Sequence, residues 1–296
     1  MTTDIHLHNK RLIGRLRAAL YDCDARLLSD ELQQLFAADC AVHLAFPFED
    51  LTGPEALFTQ VYQPLLAAVP DLERRDFIVM GGPSKEENWV GCAGYYTGVF
   101  ARPWLDIPPT GQAIHMRHHE FFRIRDDRIV EMQALWDIPS VMMQARAWPM
   151  APSLGVEWLV PGPATQDGIL DGPYDQAAAD ASVQLVLDMV AGLHRSGEGV
   201  EAMGLTRYWH PKMHWYGPAG IGTARRMHGF RTLHQIPFLK AMPDRRALME
   251  NGVLFGDRQF VGFTAWPGMV MNLTGDGWLG IAPAGQRLTM RSLDFW

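Results

Sequence analysis

Apolar side chains recur every three or four residues in the first part of the chain, and this spacing predicts helices packed on one face. The first stripe runs through residues 9–21, and a second helix is expected from Ser29. A third helix should begin at residues 52–55, where a proline and a glutamate suit a helix start, and end near Pro70. One short apolar strand is predicted between the second and third helices, at residues 40–46.

Further along, the pattern changes to alternation of apolar and polar residues, which is typical of strands with one buried face. The predicted strands are residues 76–80, 89–100, 113–124 and 128–138. Helices followed by a run of adjacent strands predict an α+β domain, in which helices pack on one face of an antiparallel sheet.

The pattern of residues 104–122 returns at residues 278–296. The two segments, WLDIPPTGQAIHMRHHEFF and WLGIAPAGQRLTMRSLDFW, align without a gap at a constant offset of 174. Weaker matches continue upstream at offsets of 171 to 173, which indicates small loop insertions. A repeat of this length predicts a whole domain that is copied once.

The repeat divides the chain into a first domain at residues 1–147 and a second domain at residues 174–296, joined by a Pro/Gly-rich linker at residues 148–173. The second copy ends at the counterpart of Phe122, so it is expected to lack its last strand. Either a C-terminal tail is missing or the second half is a degenerate partner domain. We expect a missing tail, because proteins generally avoid a bare apolar edge strand.

Composition and charge narrow the classes of partner. The 296 residues are 48% hydrophobic and 20% charged, a globular balance, and the net charge of −7 includes no basic block for nucleic acid. The sequence has no membrane-spanning apolar run and no signal-peptide core at its start, so we expect a cytoplasmic protein without a membrane partner. Three scattered cysteines indicate reduced thiols rather than disulfides or a zinc site.

Several segments resemble the SnoaL-like polyketide cyclases of the nuclear transport factor 2-like superfamily. They are WYGPAGIGT, HQIPFLKAMPDR and GQRLTMRSLDFW in the second half and RDDRIVEMQALWDIPSVMMQ in the first. The resemblance implies two tandem cone-shaped domains, each a curved, mainly antiparallel sheet around a deep apolar cavity. It also implies that the two halves pair with each other, and it leaves a homo-oligomer open. The fold does not fix the activity, because this scaffold hosts enzymes and binding modules alike.

The resemblance places the general acid/base of the family on Asp137, through the motif Ile-Val-Glu-x-x-x-x-Trp-Asp. A carboxylate can take a proton from an enolisable carbon when apolar surroundings raise its pKa toward neutrality. Trp136 and Ile138 would supply such surroundings. The alternative is that Asp137 caps the helix that follows it.

A polar cluster, HMRHHE, precedes this motif. Alternation along a strand puts His115, Arg117 and His119 on one face and His118 and Glu120 on the other. The second copy lacks histidines at these positions, which argues against a metal site. Because His118 and His119 occur in the same half as the candidate acid/base, we predict that they assist it.

Arg117 and Glu120 recur in the second copy as Arg291 and Asp294. This retention suggests a structural ion pair or a catalytic role, and Arg117 and Glu120 are also candidates for substrate binding. The other candidates for substrate binding are residues that could line a pocket for a flat ligand, although core filling is the alternative. They are His43, Tyr95, Trp104, His214, Trp215, Trp266 and Trp278.

These features favour a polyketide cyclase or a related lyase or isomerase that moves protons on a small apolar or aromatic carbonyl compound. No cofactor is expected, because neither GxGxxG after a strand nor GxxxxGK[ST] occurs. The alternative is a non-catalytic module of the same fold that binds a small molecule or assembles with a partner.

Overall fold

The computed structural model describes residues 4–296, and its first two helices each begin directly after an aspartate. Helix α1 (Ile5–Asp22) follows Asp4, whose carboxylate accepts hydrogen bonds from two backbone N–H groups of the first turn. Helix α2 (Ala25–Leu35) is capped in the same way by Asp24. The Asp4 cap explains why α1 begins before the apolar stripe from which it was predicted.

In the structure, the predicted third helix consists of three consecutive helical segments. Helix α3 (Gly53–Leu57) and helix α4 (Gln63–Ala68) flank a π-helical turn at Phe58–Tyr62. The N–H of Gln63 bonds to the carbonyl of Phe58, five residues back, directly before Pro64. Since proline has no N–H to continue the α-helical ladder, the wider turn lies where that ladder is interrupted.

The first half contains one six-stranded sheet. Its strands are β1 (Phe36–Leu44), β2 (Asp50–Thr52), β3 (Glu73–Ser84), β4 (Glu87–Val99), β5 (Ala113–Arg125) and β6 (Arg128–Trp136). They lie in the order β2-β1-β6-β5-β4-β3, and every neighbouring pair is antiparallel except β1 with β6. Helix α5 (Ile138–Gln144) follows the last strand. The α+β class is confirmed, and so are the predicted strands of this half.

The two faces of this sheet have different surroundings. One face packs against the helices, and side chains such as Met116 and Phe122 on β5 join Leu16 of α1 in the main core. The other face carries Trp89 and Phe121, which belong to a second apolar cluster shared with the second half of the chain. Strand β5 is therefore buried on both faces over its central residues.

The second half repeats much of this order. Its elements are helices α6 (Gln176–Gly192), α7 (Arg226–Phe230) and α8 (Ile236–Ala241), and strands β7 (His214–Tyr216), β8 (Thr223–Arg225), β9 (Arg246–Ala247), β10 (Gly252–Asp257), β11 (Phe260–Asn272) and β12 (Arg287–Phe295). Strands β10, β11 and β12 lie side by side, and β9 also pairs with β11. Strand β11 is continuous, and its pairing with β12 continues past a register shift between Ala265 and Met269.

Two local features recur at equivalent positions of the halves. A π-helical turn, Arg231–Gln235, separates α7 from α8 and is followed by a proline, as in the first half. An isolated bridge joins Trp104 to Ile107, and another joins Trp278 to Ile281. These features agree with the repeat in the sequence, while the domain boundaries and the assignment of the second half to the same family stay predictions.

The two sheets face each other across the shared apolar cluster. The ring of Phe121 on β5 stacks on that of Phe295 on β12, with centroids 5.0 Å apart. A buried ion pair also joins the halves, because the Nζ of Lys10 lies 2.6 Å from the carboxylate of Asp257. Within residues 4–296, no helix is both long and apolar enough to cross a membrane.

Candidate functional site

A small pocket lies where the outer face of the first sheet meets the second half. Its volume is about 130 Å³, and its wall includes Tyr95, His115, Arg117 and Asp137. The remaining wall comes from α5, from Gly217 and Thr223 in the second half, and from the segment 156–159 between the halves. The pocket therefore depends on both halves and on the residues that join them.

Asp137 lies directly after β6, and the main chain fixes its position. Its N–H donates to the carbonyl of Arg117 at 2.8 Å, which continues the β5–β6 pairing by one residue. Its carboxylate makes no capping hydrogen bond to α5, and instead accepts the N–H of Ala219 at 3.0 Å. Burial raises the pKa of Asp137, and this effect outweighs the lowering by the nearby Arg117 guanidinium and the Ala219 N–H.

Arg117 lies beside this carboxylate on the outer face of β5. Its Nη2 is 3.8 Å from Asp137 Oδ2, and both side chains are nearly buried. The same guanidinium donates to the carbonyl oxygens of Tyr216 and Gly217, at 3.2 and 2.7 Å. Arg117 thus places a positive charge in the pocket while it holds the loop of the second half in place.

Tyr95 pairs with Arg117 across the β4–β5 ladder, so its ring enters the same pocket. Its hydroxyl oxygen accepts the N–H of Val160, which leaves the hydroxyl proton free to donate. Burial raises the pKa of Tyr95, so the hydroxyl keeps that proton at neutral pH. The edge of the His115 ring packs on Tyr95 at a centroid distance of 5.8 Å, and burial lowers the pKa of His115.

A second polar cluster lies on the other face of the same sheet, inside the first half. Glu120 accepts hydrogen bonds from Arg74 at 2.6 Å, Tyr96 at 3.0 Å and the indole N–H of Trp136 at 2.9 Å. Burial opposes its ionisation, but the guanidinium of Arg74 keeps the pKa of Glu120 below its ordinary value. Tyr62 is also fully buried in this cluster, so protein side chains fill the space.

His118 lies in this interior cluster with no exposed surface. Its ring nitrogens are 3.6 Å from Asp76 and 3.9 Å from Glu120, and neither makes a hydrogen bond within the described chain. Burial and the nearby Arg74 lower the pKa of His118 to about 4. The imidazole is therefore neutral at physiological pH.

Comparison with known proteins identifies this first half. Residues 13–145 match the family model for SnoaL-like polyketide cyclase. Over these residues the chain forms a domain that resembles the SnoaL-like polyketide cyclase family, and we call it the SnoaL-like domain. A comparison with curated proteins gives no significant match.

Solved structures resemble about half of the chain. A protein of Jannaschia Sp. CCS1 assigned as a SnoaL-like polyketide cyclase is 20% identical and covers 50% of this chain and 98% of its own, with a TM-score of 0.42. AclR of Streptomyces galilaeus, assigned as a hydroxylase, is 18% identical over 49% of this chain and 90% of its own, with a TM-score of 0.41. IdmH of Streptomyces antibioticus, assigned as a polyketide cyclase, is 23% identical over 45% of this chain and 95% of its own, with a TM-score of 0.38.

The three predicted catalytic residues of the SnoaL-like domain do not meet in one site. Asp137 lines the pocket between the halves, whereas His118 lies in the interior of the domain. His119 faces the second half, where its Nδ1–H donates to the carbonyl of Leu293 at 2.7 Å, and burial lowers its pKa to about 3. Of the three, only Asp137 lines the pocket, so direct assistance by His118 or His119 stays a prediction.

The ion pair considered between Arg117 and Glu120 is also absent from the structure. The two side chains lie on opposite faces of β5, and Glu120 is paired with Arg74 instead. In the second half, Arg291 pairs with Glu49 of the SnoaL-like domain at 2.5 Å. Retention of these residues in both copies was therefore not a sign of mutual contact.

The predicted substrate-binding residues are dispersed. Tyr95 and Arg117 line the pocket. His214 adjoins it through Trp158, at a centroid distance of 5.2 Å. The others lie outside it: His43 pairs with Asp50, Trp104 is buried in the first core, Trp215 stacks on His234, Trp266 lies under Arg291, and Trp278 packs on Phe238.

The sequence reasoning did not identify one wall of the pocket. Residues 156–159 lie in the segment that was assigned as a linker from its proline and glycine content. Gln144 of α5 holds the main chain of His115 through two hydrogen bonds, at 3.0 and 2.7 Å. The sequence did offer one sign that this segment has a role. Trp158 lies within it, and a tryptophan is unusual in a flexible connection.

Proposed function

We propose that the pocket between the halves catalyses cofactor-free proton transfer on a small carbonyl compound, with Asp137 as general acid and base. The observation that carries this proposal is a nearly buried carboxylate with a raised pKa, set beside Arg117 and Tyr95 in one pocket. Burial that raises a carboxyl pKa toward neutrality suits a group that must both take and return a proton.

The reaction begins with the ionised form of Asp137. One carboxylate oxygen takes a proton from the carbon next to the carbonyl group. The electron pair of that C–H bond forms the C=C bond of the enolate, and the π pair of the C=O bond moves to the carbonyl oxygen. The protonated Asp137 then returns its proton. In an isomerisation it goes to another carbon, and in an elimination to the oxygen that leaves as its C–O bond breaks. In a cyclisation the enolate carbon bonds to a second carbonyl carbon, and the proton goes to the alkoxide that this attack forms. Cyclisation, isomerisation and elimination share this first step, so the site supports any of them.

Two donors can stabilise the negative oxygen of the enolate. The Tyr95 hydroxyl retains a free proton because its oxygen accepts from Val160, and Arg117 carries a permanent charge. Fixed donors aimed at a developing oxyanion lower the barrier more in a buried site than in water. Arg117 is held by the carbonyl oxygens of Tyr216 and Gly217, so its position requires little reorganisation during the reaction.

The size of the pocket limits what enters it. Its volume of about 130 Å³ is close to that of a cavity that accommodates one benzene, on the order of 150 Å³. Only the reacting end of a larger substrate would fit, and the rest would lie outside. The proposal therefore concerns a small ketone or a larger compound with a small acyl end.

Exchange of carbon-bound hydrogen in D₂O tests this proposal without knowledge of the natural product. Acetophenone is incubated with the protein, and loss of the methyl proton signal is followed by NMR. We expect Asp137→Asn to slow the catalysed exchange by roughly 10²- to 10⁴-fold, and Asp276→Asn, which changes a carboxylate exposed to solvent, to leave it unchanged. Equal exchange by the parent and Asp137→Asn contradicts the proposal.

A second candidate is a non-catalytic assembly role, and one observation favours it. Asp137 and Arg117 both bond to the main chain of residues 216–219, so they join the halves. In that role, Asp137→Ala leaves the Ala219 N–H unsatisfied and lowers the free energy of unfolding by about 1–3 kcal/mol. A parent protein without exchange activity, together with this loss of stability, would select the assembly role.

A further inference from the structure

The segment of residues 154–160, which we call the strap, is attached at both ends. At one end, the N–H groups of Gly155 and Val156 donate to the carbonyls of Ile221 and Thr223, at 2.7 and 3.1 Å. The N–H of Thr223 returns a bond to Val156 at 2.8 Å. At the other end, the N–H of Val160 donates to the Tyr95 hydroxyl. The strap is thus fixed to the second half and to the catalytic tyrosine.

Between these attachments, the strap presents large side chains at the mouth of the pocket. Val156, Trp158 and Leu159 line the pocket but are 66%, 47% and 51% exposed. Apolar surface of this size costs free energy in water, so a ligand that covers it gains affinity.

Trp158 belongs to a row of rings next to the mouth, which we call the aromatic shelf (Trp158, His214, Tyr216). The Trp158 ring lies 5.2 Å from His214 and 6.1 Å from Tyr216, and the latter two rings are stacked 13° from parallel at 5.6 Å. Tyr216 also supplies a carbonyl that holds Arg117, so the shelf is continuous with the pocket. Flat aromatic groups bind such surfaces by offset or edge contacts.

The charges in the pocket disfavour an anionic end. Glu157 of the strap lines the pocket, so two carboxylates, Asp137 and Glu157, face one guanidinium, Arg117. A carboxylate that entered beside Asp137 would meet a like charge and lose its water.

We propose that the strap selects the substrate: an uncharged aryl ketone or related acyl arene, whose acyl end enters the pocket and whose rings lie on the aromatic shelf. This inference rests on the proposed function for the reacting end of the ligand. It assigns to Trp158 the recognition of the part that stays outside. The segment that joins the halves is then part of the binding site rather than a spacer.

Binding of three probes tests the shelf. Propanone, acetophenone and 2-acetylnaphthalene share the acetyl end and differ in aromatic area, and their dissociation constants are measured by NMR titration. We expect affinity to rise along this series in the parent. Trp158→Ala should weaken binding of 2-acetylnaphthalene about tenfold and leave that of propanone within about twofold, because only the larger probe has rings that lie against Trp158. Leu185→Ala, a change on the exposed face of α6, is the matched control and should have no effect.

The inference is overturned if Trp158→Ala binds 2-acetylnaphthalene as tightly as the parent, or if the parent binds propanone as well as 2-acetylnaphthalene. Tighter binding of benzoate than of acetophenone would overturn the assignment of an uncharged end. These outcomes are separate from those of the exchange assay. If Trp158→Ala weakens binding while the parent exchanges no hydrogen, the proposed catalysis fails and the strap remains a recognition element.

Discussion

The guanidinium of Arg74 lies 2.6 Å from the carboxylate of Glu120, and neither side chain has any exposed surface. Arg74 also contacts Asp76 at 2.9 Å, so one cation serves two buried carboxylates. An ion pair in such surroundings contributes little net stability by itself, but loss of one partner leaves an uncompensated charge. The interior of the SnoaL-like domain therefore depends strongly on Arg74.

Arg74→Met tests this dependence. Glu120 loses its guanidinium partner, whereas Asp76 keeps Arg17 at 2.7 Å. Because the Glu120 charge is left buried and uncompensated, we expect the free energy of unfolding to fall by about 3–5 kcal/mol, measured by urea denaturation. Arg195→Met removes an exposed arginine that pairs with Glu198, and should cause no measurable change. Similar stability of the two variants would show that the buried cluster is not organised by Arg74.

The contact between the sheets predicts a large effect at Phe121. This ring is fully buried and meets Phe255 at 5.6 Å and Phe295 at 5.0 Å. Phe121→Ala should lower the free energy of unfolding by about 3–5 kcal/mol, whereas Phe46→Ala, at a ring 77% exposed, should change little. A small loss at Phe121 would mean that the two sheets do not pack as described.

His118 predicts a pH dependence of stability. Its pKa of about 4 in the folded protein lies below its ordinary value of 6.5, so the unfolded chain binds a proton first as the pH falls. Stability should therefore be fully retained above pH 6.5 and decrease from there toward pH 4. The variant His118→Gln lacks this titrating group. The slope of its free energy of unfolding against pH should therefore be smaller by up to about 1.4 kcal/mol per pH unit. Parallel stability profiles for parent and variant between these pH values would refute the assignment.

Local patterns in the sequence predicted most of the elements of the fold. The stripe in α1 and the alternation in β5 follow from which side chains are buried, and burial repeats with the period of the element. The separation of His118 and Glu120 from Arg117 on β5 was predicted in the same way and is confirmed. The π-helical turns were not predicted, because a proline in a helical pattern does not determine which backbone hydrogen bonds form next to it.

The site was less predictable because its contacts join distant parts of the chain. Asp137 was identified through the family motif, but its contact with Ala219 spans 82 residues and has no local signal. The ion pair of Arg74 with Glu120 joins residues 46 positions apart, so the local spacing of apolar and polar residues could not predict it either. Residues 156–159 carry no periodic pattern, so only the folded structure places them against Tyr95 and the pocket.

The pH dependence of hydrogen exchange into acetophenone tests the central claim most directly. If Asp137 is the base, the catalysed rate in the parent should fall as the pH decreases through the raised pKa of Asp137, because only the ionised carboxylate accepts a proton. Asp137→Asn should lack both the catalysed rate and this limb. A catalysed rate in Asp137→Asn with the same pH profile as the parent would show that the reacting base lies elsewhere.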